Sequence, residues 1–402
     1  MNFFFHFLFT PLAAAGLLAD GVFATPSSRA SSSRAASPDA DGKYWIFGEG
    51  ISAAFIPYGA SITNLVIRDK SGVQRDLIMG FDNVTAYHED QAHPHLGGVP
   101  GRYANRIKNS TFALDGVQYH VTPNENPTSD NPSGLNTLHG GPDVVAYITY
   151  TMGNMTWDAK MIAIPTTKKT PIMLTSHTYW NLDGFANDQT NTVLNHTLHL
   201  PYSGQRVAVD SILIPTGDIE ANTQDSVNDF WTAPKQIGAS FADPELEGNC
   251  GFNCTGYDNC YIINRPSTSD WRTDAIATLS SPWSGITLNV FSDQEAFQVY
   301  SCNGQNGTFP LKSTQGTSQP SSSRRRSSSS IKNRQSSGDD AEGSNEALAF
   351  PRTVPQYGCI VLEVQDWIDG INHPEWGRMD RQVFGPGGDP YVLQVSHRFT
   401  VE

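Results

Sequence analysis

Short extended runs, each closed within a few residues by a turn signal, recur along almost the whole chain and leave no room for a helical layer. Thr111 to Leu114 and Val117 to Val121 flank Asp115-Gly116. That dipeptide tolerates the positive φ angles of the two-residue turn whose twist matches paired strands. Ile62 to Arg68 and Asp76 to Phe81 flank Asp69-Lys70-Ser71-Gly72 in the same way. Further runs follow at Thr192 to Leu200, Ala275 to Leu279, Gly285 to Phe291, Ala296 to Cys302 and Tyr391 to Val401. No apolar stripe of period 3.6 continues beyond about three turns. The pattern predicts an all-β chain, a large sandwich of mostly antiparallel sheets. Composition agrees, since 35 Gly and 25 Pro accompany only 16% charged residues.

Three segments stand apart from the strands. Residues 3 to 19 are an apolar block closed by Val22-Phe23-Ala24, which reads as a signal peptide over residues 1 to 24. Pro11, His6 and Asp20 interrupt it too early for a comfortable membrane anchor. Residues 25 to 41 are Ser/Ala-rich and read as a disordered lead-in to a single domain over residues 42 to 402. Within that domain, residues 313 to 346 carry Ser runs, Arg324-Arg325-Arg326 and Asp339-Asp340, and cannot bury enough apolar surface to fold. The expectation is an inserted surface loop or a stretch of retained non-coding sequence, ahead of a protease-sensitive loop or basic tether.

Six Asn-x-Ser/Thr sequons, at Asn83, Asn109, Asn154, Asn195, Asn253 and Asn306, point with the leader to a secreted glycoprotein. Five cysteines suit the same compartment. Cys250, Cys254 and Cys260 are close enough to close one disulfide, and the odd count leaves at least one thiol free. Zinc is disfavoured there for want of a nearby His. With 26 Lys plus Arg against 40 Asp plus Glu, the formal charge of −14 argues against a nucleic-acid partner.

Polar groups interrupt the strand texture at a few islands. Gly101-Arg102-Tyr103-Ala104-Asn105-Arg106-Ile107 places two guanidinium groups and an amide before a hairpin. Thr137-Leu138-His139-Gly140-Gly141 ends a run on an imidazole and two glycines that let a ligand approach the backbone. Along Pro171 to Leu182, a period of two puts Met173, Thr175, His177 and Tyr179 on one face. A lone His on a strand is ordinarily a hydrogen-bonded core residue, but Tyr179, Trp180 and Asn181 beside it suit a sugar. Glu363 lies mid-strand between Val361 and Gln365 on its face, where a charge is costly unless paired or useful. Burial raises a carboxylate pKa and suits a general base working near neutrality.

These islands, with Leu213 to Ile219, Gly256-Tyr257-Asp258 and Leu362-Glu363-Val364-Gln365-Asp366, resemble the aldose 1-epimerase, or galactose mutarotase, family in its order over roughly residues 43 to 402. The resemblance implies a galactose-mutarotase-like supersandwich that interconverts the α and β anomers of a free glucose- or galactose-type hexose. Glu363 is then the base on the anomeric hydroxyl and His177 the acid on the ring oxygen. Asn105, Arg106, His139, Asp258 and Gln298 are sugar contacts. Such chemistry requires no cofactor and no metal, and the protein is expected to act as a monomer with no membrane partner once the leader is cleaved.

The spacing between His139 and His177 is shorter than in the family, which predicts missing strands and an open sheet edge there. Three rival readings stand beside this one. A carbohydrate-binding sandwich without turnover would bind sugar and leave anomer exchange unaccelerated. A polysaccharide lyase or hexose-phosphate epimerase could share the sandwich, although the phosphate enzyme would want more basic residues than Arg102 and Arg106. The loop of His88, Glu89, Asp90, His93 and His95 could bind zinc or copper, against the blander reading of a polar loop.

Overall fold

The computed structural model describes residues 37–140, 144–316 and 353–402. The leader, residues 25 to 36 of the lead-in and all of the insert beyond Gly316 lie outside them. Three sheets dominate. A seven-stranded sheet runs Lys235–Gln236, Thr197–His199, Ala277–Ser280, Ile286–Ser292, Tyr391–Val401, Thr156–Ile164, Val145–Gly153. A six-stranded sheet runs Tyr179–Trp180, Ile360–Gln365, Ala296–Tyr300, Asp258–Ile262, Gln205–Val209, Pro215–Ala221. A four-stranded meander, Tyr44–Gly48, Ile51–Phe55, Ile62–Arg68, Gln74–Asp76, begins the domain. Their ladders are antiparallel, as the alternating sequence requires.

Alternation decides which residues meet in the core. Ile360, Leu362 and Val364 share a buried cluster with Leu279, Leu288, Val290, Trp157, Trp180 and Phe399. Burying an aliphatic side chain of this size contributes roughly 1.5–3 kcal/mol, so this layer is the main stabilising term. Their neighbours Val361, Glu363 and Gln365 take the opposite face of the six-stranded sheet, where the polar islands collect.

Several expectations need correction. Pro171 to Leu182 forms ladders only at Thr170–Pro171 and Tyr179–Trp180. Between them the backbone bonds to the loop around residues 98 to 102 instead: Met173 N–H donates to Arg102 O and His177 N–H to Gly98 O. Thr192 to Leu200 shortens to Thr197–His199, because a turn closes from His196 N–H to Val193 O. The lead-in is tied down before residue 41, since Asp39 accepts from Lys43 N–H at 2.9 Å and Trp45 Nε1 at 2.8 Å. Likewise residues 313 to 316 are anchored. Thr314 Oγ1 donates to Asp76 Oδ2 at 2.7 Å, and Lys312 pairs with that carboxylate at 2.8 Å.

The free edge has a specific place. Val145–Gly153 pairs with Thr156–Ile164 on one side, and among the described residues no ladder covers its other side. Two disulfides close, Cys250–Cys254 and Cys302–Cys359, leaving Cys260 as a buried thiol. The second joins the end of the strand carrying Gln298 to the start of the strand carrying Glu363. No helix among the described residues is long and apolar enough to cross a membrane.

Candidate active site

Register builds one wall of the site. Cys260 pairs with Gln298 and Gln298 with Glu363, so these side chains stand on one face of adjacent strands. Asp258 precedes Cys260 by two residues on that face, and Gln298 Nε2 donates to its Oδ1 at 2.6 Å. Gln298 Oε1 is buried with no protein partner, aimed where a hydroxyl could use it. The neighbouring Tyr179–Trp180 strand brings in the segment carrying His177, whose Nε2 lies 3.3 Å from Glu363 Oε1.

The opposite wall depends on a distortion. Tyr103–Ile107 and Thr137–Gly140 pair with a register shift between Tyr103 and Arg106. Asn105 and His139 both take left-handed backbone conformations, with φ of 62° and 54°. Neither is glycine, so each costs about 1 kcal/mol or more, a strain that clusters at functional sites. The distortion aims Asn105 N–H at His139 Nδ1, 3.0 Å away. With Nδ1 accepting, the neutral ring carries its proton on Nε2, and His139 presents a fixed donor.

Arg106 is locked by a residue the sequence did not mark. Its Nε reaches Glu125 Oε1 and Oε2 at 3.1 and 3.0 Å, its Nη2 reaches Oε1 at 2.8 Å, and Nη2 stands 3.9 Å from Asp258 Oδ2. Glu125 sits in a polar loop where a carboxylate carries no distinguishing signal. His95 was also missed as a site residue, having been grouped with the rival metal loop. That loop does not converge. His88 packs on Tyr58 and His93 pairs with Asp90 at 2.8 Å, while the His95 ring lies 4.7 Å from His139 and 6.5 Å from His177.

All seven expected residues line one cavity of about 330 Å³, together with Asn124, Tyr179, Tyr300, His93 and His95. That size suits a small molecule. A wider cavity of about 680 Å³ shares Pro94 and His95 with it but holds none of the seven.

Burial sets the protonation states. It pushes the Glu363 carboxyl up to about 8, with the Asp258 charge adding and Arg106 opposing. Burial pulls His177 down to about 3, and His95 adds to the effect. His139 is held well below its ordinary value by burial and then by His95, His177 and Arg106. Asp258 is raised by burial, with Arg106 and Gln298 pulling it back. Near neutrality His177 and Glu363 therefore share one proton, which belongs to the pair.

Among the described residues, His139, His177 and Glu363 are also the group whose ligand atoms lie within 4.8 Å of one another. The donor set does not fit an ion: a metal needs a lone pair, and His139 spends Nδ1 on Asn105 and carries hydrogen on Nε2.

A buried carboxyl–imidazole pair flanked by fixed polar groups, on an antiparallel sandwich, is an arrangement suited to proton transfer on a small polar molecule. The chain matches the aldose 1-epimerase family over residues 45–145 and 142–381. It is 37% identical to a probable aldose 1-epimerase of Arthroderma benhamiae, covering 89% of this chain and 86% of that one. It is 27% identical to human galactose mutarotase, covering 83% and 88%. A crystal structure of a GalM/aldose epimerase homologue from C. elegans superposes with a TM-score of 0.65 at 23% identity, over 90% of this chain and 99% of that one. This chain belongs to the aldose 1-epimerase family. The two matched stretches meet at residues 142–145, within the segment whose spacing is shortened.

Proposed function

We propose that this chain interconverts the α and β anomers of free aldoses, with Glu363 and His177 carrying the two proton transfers. The observation that carries this reading is the buried 3.3 Å contact between His177 Nε2 and Glu363 Oε1. A sugar entering the cavity separates the pair. The anomeric hydroxyl then faces the carboxylate, and the ring oxygen faces the imidazole. Glu363 takes the proton from the hydroxyl on C1 while His177, now imidazolium, protonates the ring oxygen as the bond from C1 to that oxygen breaks. The open-chain aldehyde turns about its C1–C2 bond, and the same steps in reverse close the ring on the other face. His139 Nε2–H donates to the sugar on the ring-oxygen side. Arg106, Asp258, Gln298 and Asn105 hold hydroxyls so that the open chain stays oriented.

General acid and base contribute roughly 10²- to 10⁴-fold each in such reactions. That suffices for a change that already proceeds in water. Polarimetry of freshly dissolved α-glucose and α-galactose tests the reading. Faster decay of rotation with the protein supports it, and an unchanged decay for both sugars removes it.

The same proposal takes the protein as exported and glycosylated. Two disulfides support an oxidising compartment. Asn83, Asn109, Asn154, Asn253 and Asn306 are exposed, while Asn195 is half-buried against His196. Recovery from culture medium, with a mobility shift on enzymatic deglycosylation, is the expected outcome. A monomer is proposed as well, and sedimentation tests it.

A further inference from the structure

Below the His177–Glu363 contact lies a second polar layer that the reaction as described does not use. Gln365 and Thr175 are each 0% exposed, and neither Gln365 Nε2, Gln365 Oε1 nor Thr175 Oγ1 has a hydrogen-bonding partner among the described residues. Glu363 Oε2 and His177 Nδ1 are buried and unpartnered in the same way. An amide with both ends unpaired in a dry interior is costly, and folded chains rarely leave one.

Strand register and one side-chain contact relate these groups. Tyr179 pairs with Val361 and Trp180 with Ile360. Beyond Tyr179 the ladder ends and the backbone turns to residues 98 to 102, yet the 3.3 Å contact of His177 Nε2 with Glu363 Oε1 keeps this segment beside the strand. Thr175 lies two residues before His177, and Gln365 two residues after Glu363. Across the other strand Gln365 pairs with Ala296, whose methyl group offers the amide no hydrogen bond. Gln365 and Glu363 stand on the same face, two residues apart.

We propose that Gln365 and Thr175 hold a buried water against Glu363 Oε2 and thereby position the carboxylate that acts as base; this rests on the roles assigned to Glu363 and His177 above. Such a water accepts from Gln365 Nε2 and Thr175 Oγ1 and donates to Oε2, close to the three bonds a buried water ordinarily makes. Gln365 and Thr175 are positioning residues, since they reach the sugar only through Glu363. The bond to Oε2 favours the ionised carboxylate, so it favours the reactive arrangement in which the shared proton is on His177. Losing it leaves the proton on Glu363 and makes that proton harder to remove.

Gln365→Met keeps the volume and removes the amide. In polarimetric assays across pH it should lower kcat about tenfold with KM unchanged, and move the alkaline limb up by roughly one pH unit. Thr175→Val should shift both in the same direction, and Thr175→Ser should restore them. A crystal structure at high resolution should show a water within hydrogen-bonding distance of Gln365 Nε2 and Glu363 Oε2. Folded Gln365→Met with wild-type kcat and an unmoved limb would overturn the proposal, as would a dry layer in the crystal. If Gln365→Met does not fold, the Thr175 pair and the crystal structure decide. Glu363→Gln is the control. If that variant keeps the wild-type rate, the base assignment has failed rather than the water; if it is inactive while Gln365→Met is normal, only the water has failed.

Discussion

Glu363 is ordinary as a residue type and unusual only in where the strand places it. A carboxylate between apolar neighbours is visible in a sequence because alternation fixes its face, and burial is the largest cause of its raised pKa. His177 was visible for the same reason. The fixed tautomer of His139 was not, because it depends on a bulge that turns Asn105 N–H toward the ring. Nor were Glu125 and His95, whose roles arise from contacts between segments distant in sequence or from loop geometry. The shared proton predicts a bell-shaped profile of kcat/KM. Below about 3 a second proton reaches the pair, above about 8 the single proton is lost, and activity should hold between those limbs. A profile that instead rises through pH 8 would show that the pair does not act as one unit. Glu125→Gln removes the charge that orients Arg106 and should raise KM several-fold with a smaller effect on kcat, read from initial rates against sugar concentration.

Among the elements, the hairpin over Thr111–Leu114 and Val117–His120 was the most legible, and its turn shows why. Asp115 and Gly116 have φ of 51° and 79°, the left-handed pair such a turn demands. A side chain at Gly116 would meet nothing within 4 Å, so Gly116→Val isolates the backbone cost. It should destabilise the domain by about 1–2 kcal/mol, seen as a lower Tm, and leave kcat/KM unchanged because the turn lies away from the cavity. The segment from Pro171 to Tyr179 was legible in its faces but not in its pairing. Its alternation is set by side chains, and its partner turned out to be the loop around residues 98 to 102.

For the whole molecule, fold class and sheet composition could be read from short runs and turns, while the pairing of Cys302 with Cys359 could not, since it depends on strands that meet only in the folded chain. Cys302 and Cys359 close a loop of 57 residues in sequence separation that contains the Ser/Arg-rich insert. The same loop is narrowed by the ladder between Phe309–Pro310 and Thr353–Val354. Excising residues 318 to 350 should therefore leave Tm and mutarotation rate near those of the intact chain, because the flanks are already held together. Replacing both cysteines by serine should cost about 4 kcal/mol in denaturant unfolding, the value expected for a closed loop of that length.

Burying Glu363 also bears on stability. Its raised value means that stability present below about 4.5 is progressively lost as pH rises through about 8, so Glu363→Gln should melt no lower than the wild type at pH 8. That makes the variant a clean probe. Polarimetry of fresh α-glucose with folded Glu363→Gln should show decay no faster than the protein-free solution. A wild-type rate from that variant would contradict the exchange of one proton between Glu363, His177 and the sugar.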